Sequence, residues 1–250
     1  MERRFAGLAR LYGVSGAQRI GAAHVAVAGI GGVGSWAAEA LARSGVQRLT
    51  LIDLDHVAES NVNRQVHAVD ASLGQAKVLA MQQRIHSFHP ACDVRCVEDF
   101  VEAGNWPALL GHGVTAVIDA CDQVAAKTAM AAWARDTDQL FISVGAAGGK
   151  RLAQQVEIDD LARVTHDPLL AQVRNRLRKL HGAPPAGKKM GLACVFSREP
   201  VRPPDASCAV VGDGTLNCHG YGSVVSVTAT FGLCAAGWVL EQIASAPEKS

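Results

Sequence analysis

The chain is short of the features that mark secreted, metal-stapled or strongly charged proteins. None of its seven cysteines (Cys92, Cys96, Cys121, Cys194, Cys208, Cys218, Cys234) pairs as CxxC, so no structural zinc site of the usual spacing is signalled. The set is odd in number and follows no regular framework, which suits a reducing compartment. The opening MERRFAGLARLYG holds no apolar run of the kind that directs secretion, so a cytoplasmic location is expected. Net charge is only +1 and by itself names no partner. What is present is apolar: 49% of 250 residues, enough to bury a full core as one α/β domain.

The most informative stretch is VAVAGIGGVG, residues 25–34. Its apolar half is short and β-branched, the mark of a buried parallel strand. Gly29, Gly31, Gly32 and Gly34 then permit a tight turn whose backbone N–H groups can approach a phosphate. SWAAEALAR, residues 35–43, follows as a helix whose N-terminal dipole favours that negative charge. LTLIDLD, residues 49–55, supplies a second strand ending in acid at about the ~20-residue spacing of a nucleotide site.

The rhythm continues with strands expected at 92–97, 116–120 and 140–144 and helices at 76–87 and 124–135. Alternation of this kind predicts a doubly wound, Rossmann-like and mostly parallel sheet, with a ligand crevice at the strand carboxyl ends. The glycines, Asp53, Asp122 and Gly145 all fall at such ends. Residues 1–149 read as the nucleotide-binding part, 150–215 as a basic, partly mobile substrate-binding segment and 216–246 as a C-terminal apolar segment.

Between Lys150 and Arg202 eleven Lys/Arg face five Asp/Glu, a local balance of +6. Arg174, Arg176, Arg178 and Lys179 fall on an expected helix, and Lys188 and Lys189 in the loop after it. Such a stretch is either a solvated face or a surface for a phosphate backbone, with few aromatics to stack bases. Residues 220–240 carry no charge over about the length of a bilayer span. Their Gly, Ser and Thr content and the lack of flanking cations favour a core helix, packed on the sheet or on a partner subunit, over membrane association.

After the second strand come Asn61, Asn63, Arg64 and Gln65 in SNVNRQ, then Lys77 in GQAK. A nicotinamide site gains little from two cations near its phosphates, whereas a site that cleaves a triphosphate needs them where charge accumulates. Asp122, in IDACDQ, suits magnesium, which prefers carboxylate and phosphate oxygens. Singly, Lys77 reads equally as a surface residue, Arg64 as a loop anchor and Asp122 as a helix cap.

GIGGVG, LIDLD, SNVNRQ, Lys77 and DACD, in this order, resemble the adenylating domain of the ubiquitin-activating-enzyme-like family, which includes enzymes that activate sulfur-carrier proteins. The resemblance implies that Gly31 and Gly32 contact ATP phosphates and that Asp53 binds ribose. It further implies that Asn61, Arg64 and Lys77 bind the nucleotide, that Asp122 holds Mg2+, and that Arg10 reaches the ATP of a partner subunit in a homodimer. Three more stretches (RFAGLARLYG, VGAAGGK, and GLACVFSREP with the later TATFG) are similar to the tRNA threonylcarbamoyladenosine dehydratases within that family.

That likeness implies ATP-dependent cyclisation of a threonylcarbamoyl group on tRNA through a carboxyl-adenylate. Arg10, Arg64, Lys77 and Asp122 would be the catalytic set, and tRNA would lie on the basic segment. A cysteine desulfurase or sulfur acceptor is a candidate partner. Cys194, Cys208 and Cys234 are candidate carriers, though an apolar cysteine is more often packing. Two alternatives stand beside this reading: adenylation of the C-terminus of a ubiquitin-like sulfur carrier, and a non-catalytic nucleotide-binding scaffold.

Overall fold

Residues 24–28, HVAVA, form β1 (His24–Ala28), buried throughout. Val25 and Val27 enter one hydrophobic core, Ala26 and Ala28 another. A strand covered on both faces therefore reads as a continuous apolar run. The structure, a computed structural model, describes residues 3–205, 207 and 221–247.

Six more strands join β1: β2 (Arg48–Ile52), β3 (Asp93–Val97), β4 (Ala116–Asp119), β5 (Leu140–Val144), β6 (Val156–Asp160) and β7 (Ala193–Ser197). They form one sheet in the order β3-β2-β1-β4-β5-β7-β6, parallel except for β6, which runs antiparallel to β7 at the edge. The chain winds from β1 out to β3 and then returns to β4 on the other side of β1. That reversal opens a crevice at the carboxyl ends of the strands.

Helices α1 (Ala6–Ala22), α2 (Gly34–Arg43), α3 (Lys77–Phe88) and α6 (Val225–Ala244) build the layer around the first core. The second core lies under α4 (Val124–Thr137) and α5 (Pro168–Leu180). β6, β7 and α1 were not among the expected elements. In consequence the basic stretch contributes two strands to the central sheet.

The apolar C-terminal stretch forms α6, a helix long and apolar enough to cross a bilayer. It packs instead as a core helix, with Val227, Phe231, Ala235, Ala236 and Val239 fully buried. At Gly232 a β-carbon would stand 2.3 Å from the Val33 carbonyl oxygen, so glycine lets α6 lie directly on the start of α2. The core-helix expectation holds.

Candidate functional site

The crevice contains a cavity of about 520 Å³, within the ~300–1,000 Å³ of small-molecule sites. Gly29, Gly31 and Gly32 line it where the turn after β1 runs into α2, and the Ser35 N–H closes that turn on the Gly31 carbonyl at 3.1 Å. The turn thus aims the positive end of α2 at the cavity. Gly34 does not line it. A β-carbon there would stand 1.7 Å from the Gly29 carbonyl oxygen, so Gly34 serves the close packing of helix on turn.

Asp53, just beyond β2, lines the cavity and braces the same turn. One carboxylate oxygen accepts the Ile30 N–H at 2.6 Å and the other the Asp55 N–H at 2.9 Å. Burial raises the Asp53 pKa above its ordinary value, against the opposing pull of Lys77 and of both N–H donors.

Lys77 opens α3 and sends its Nζ to Asp55 Oδ2 at 2.6 Å, with both residues on the cavity wall. The alkyl chain of Arg64 lies against Gly32, where a β-carbon would meet Cγ at 3.1 Å. The Arg64 guanidinium donates to the Ser60 carbonyl (2.8 Å) and Asn63 Oδ1 (2.9 Å), and Trp36 Nε1 donates to the Arg64 carbonyl at 2.9 Å. Arg64 and Lys77 thus both line the cavity, as does Asp122, which is exposed just beyond β4. Asn61 is buried and does not itself line the cavity; its Oδ1 accepts the Ala58 N–H at 3.1 Å, and its carbonyl accepts the N–H groups of Arg64 and Gln65. It shapes the loop that presents Arg64.

Sequence reasoning missed what lies beneath the β4 and β5 exits. Lys127 and Asp119 are completely buried and 3.0 Å apart. Lys127 Nζ also donates to the Val144 carbonyl at 2.6 Å, and Ser143 Oγ donates to Asp119 Oδ2 at 2.6 Å. Asp167 accepts the Ala146 N–H (2.8 Å) and the Leu170 N–H (2.9 Å), tying the 145–148 loop to the start of α5. Asp55, Gln65 and Phe100 also line the cavity without having been singled out as ligands.

The remaining expected site residues lie elsewhere. Arg10 is exposed on α1 and does not line the cavity of its own chain. Arg176, Lys179, Lys188 and Lys189 are exposed. Arg174 donates to the carbonyls of Leu161 and Val164, and Arg178 to that of Pro184, so both are partly committed to holding backbone. Lys150, counted in the basic stretch, is buried and donates to the carbonyls of His166, Ser197 and Glu199. Cys194 is buried and Cys234 half-buried, each thiol pushed up by burial, while Cys208 and Cys218 lie outside the described residues.

A glycine turn, the buried acid Asp53 and the cations Arg64 and Lys77 thus line one crevice. The ThiF family model covers residues 3–250. The chain belongs to the ThiF family. Among its relatives there, the tRNA threonylcarbamoyladenosine dehydratase of Escherichia coli is 42% identical, over 96% of this chain and 93% of that protein. The dehydratase of Haemophilus influenzae is 39% identical, over 97% and 94%. The crystal structure of the E. coli dehydratase in complex with ATP superposes with a TM-score of 0.88 at 41% identity, covering 96% of this chain and 93% of that one. The doubly wound fold expected from the sequence is that of this ThiF family relative.

Proposed function

We propose that this chain dehydrates threonylcarbamoyladenosine in tRNA, closing the threonylcarbamoyl group into a ring with ATP as co-substrate. The observation that carries the reading is the 42% identity to the E. coli dehydratase over nearly the whole of both chains. The cavity supplies the chemistry. A carboxylate resists attack because its leaving group would be oxide. Attack of that carboxylate oxygen on the α-phosphorus of ATP expels pyrophosphate and gives an acyl-adenylate. The neighbouring carbamoyl group then attacks the activated carbonyl, AMP leaves with the former carboxylate oxygen, and the ring closes. Ring closure is intramolecular, where effective molarities reach ~10⁵ M or more, so no enzyme nucleophile is required.

The residues present fit this nucleotide. Gly31 and Gly32 offer backbone N–H groups to phosphates, and Asp53 keeps acceptor capacity for a ribose hydroxyl. Arg64 and Lys77 offset charge that builds on the phosphates. Among the described residues no cluster of three His, Cys, Asp or Glu forms a metal cage. Asp122 would hold Mg2+ together with phosphate oxygens, as that ion prefers, and the ion would neutralise phosphate charge. The working unit in this reading is a cytoplasmic homodimer, with Arg10 completing the partner's site.

The tail-adenylating alternative is not favoured, because the dehydratases match the chain almost end to end. The test is mass spectrometry of nucleosides from threonylcarbamoylated tRNA incubated with ATP and this protein. A product lighter by one water is expected, and an unchanged nucleoside would remove the reading. Asp122→Ala should abolish tRNA-dependent ATP–pyrophosphate exchange, whereas Asp53→Ala should mainly weaken ATP binding. Wild-type exchange in Asp122→Ala would count against adenylation at this site.

A further inference from the structure

Next to the nucleotide cavity lies a second concavity of about 360 Å³. The two share Pro168 and Val201, and the second is lined also by Thr165, His166, Arg174, Pro200 and Asp167, whose carboxylate is taken up by the Ala146 and Leu170 N–H groups. Strand order gives the crevice a direction. Asp53 stands at the β2 exit, the glycine turn at β1, Asp122 beyond β4 and the 145–148 loop after β5. The second concavity continues that line, since Pro200 and Val201 follow β7, the neighbour of β5.

Its wall is built with some force. Arg174 donates to the carbonyls of Leu161 and Val164 at 3.1 and 2.8 Å, and Lys150 to that of His166 at 3.2 Å. These bonds hold the 161–167 segment by its backbone. His166 sits there at φ +55°, a left-handed conformation that its β-carbon disfavours. Its ring is exposed at the rim, 3.0 Å from Thr165 Oγ1. His166 is thus held by its backbone, with its side chain in solvent beside the nucleotide cavity.

The geometry points to this concavity as the subsite for the RNA strand adjoining the modified nucleotide. The inference rests on the dehydratase reading above. If Asp53 takes the ribose of ATP, the nucleotide fills the β2 side and the acceptor carboxyl enters from the β5 side. A ribonucleotide flanking the target then falls in the second concavity, its phosphate drawn by the Arg174 charge and its hydroxyls or base edge within reach of the His166 ring. Further along α5, Arg176 and Lys179 are exposed on other sides of the helix from Arg174.

The test uses two variants of the full chain. His166→Gly removes the ring yet suits the left-handed backbone, so the fold is kept. His166→Glu puts a carboxylate where RNA phosphates would pass. The KM for tRNA should rise about fivefold in the first and more than about tenfold in the second, with the Kd for ATP and the Tm at wild-type values. A KM within about twofold of wild type in both variants, with wild-type dehydration intact, would overturn the subsite alone. Failure of the wild-type chain to dehydrate tRNA at all would overturn the subsite and the dehydratase reading together.

Discussion

Asp119 and Lys127 meet 3.0 Å apart with neither side chain reached by solvent, directly beneath the loops that carry Asp122 and Gly145. The Cys121 N–H adds a third tie, to Asp119 Oδ1 at 3.2 Å. Removing one partner of such a pair leaves a buried charge uncompensated, at a cost of about 3–5 kcal/mol. Lys127→Met should therefore lose about that much stability in urea unfolding. Combining it with Asp119→Asn, which removes the orphaned charge and keeps the oxygen facing Cys121, should recover more than half. An additive double variant would show that the two residues are not coupled.

Acid should act through His67. The ring is 3% exposed and neither nitrogen has a hydrogen-bond partner. Burial, aided by the charges of Lys77 and Arg84, lowers its pKa from 6.5 to about 4. The folded state thus prefers the neutral ring. The contribution is complete above pH 6.5 and is lost as the pH falls towards about 4, where the folded protein also takes up the proton. A gap of that size is worth about 3 kcal/mol. Between pH 7 and pH 4 the wild type should lose roughly that much more stability than His67→Leu, measured by urea unfolding at constant ionic strength. Parallel pH profiles for the two proteins would refute this.

Part of this architecture was legible because local pattern and tertiary role coincide. β1 and residues 49–52 of β2 read as buried strands because both faces are covered, and the glycine turn followed from four glycines before a helix. Lys77 and Arg64 could be placed at the crevice because both follow the second strand in the order of the motif, and both line the cavity. Lys127 could not. It occupies an ordinary position in an alanine-rich helix, and only the meeting of β4 and β5 beneath α4 buries it. Gly34 and Asn61 do not line the cavity, since glycine and asparagine serve close packing and loop shape as readily as they serve ligands. β7 is five residues long and follows a lysine-rich loop, with nothing local to separate it from that loop.

Arg10 and Lys77 allow a test of assembly. Arg10 is exposed on α1 and away from its own cavity, while Lys77 lines it. If Arg10 completes a neighbour's site, Arg10→Ala and Lys77→Ala each inactivate alone, but a mixed dimer contains one site free of both defects. Mixing the two variants under conditions of proven subunit exchange should restore about a quarter of wild-type activity: half the dimers are hybrid, each with one intact site. No recovery would place the action of Arg10 within its own chain.

The basic stretch divides, once its side chains are located, into cations that hold the fold and cations that face water. Lys150, Arg174 and Arg178 donate to backbone carbonyls, whereas Arg176, Lys179, Lys188 and Lys189 are exposed. Replacing the first group would confuse lost binding with lost stability. Neutralising the exposed four should weaken tRNA binding while leaving the Tm and ATP affinity near wild type. Each phosphate contact contributes a slope of about −0.7 to −0.9 in the logarithmic dependence of affinity on salt. Loss of two or three contacts should therefore flatten the slope by about two, read from filter-binding titrations across salt concentrations. If affinity and slope both survive, these four side chains form a solvated face, and tRNA must be held by the cavity and its immediate rim.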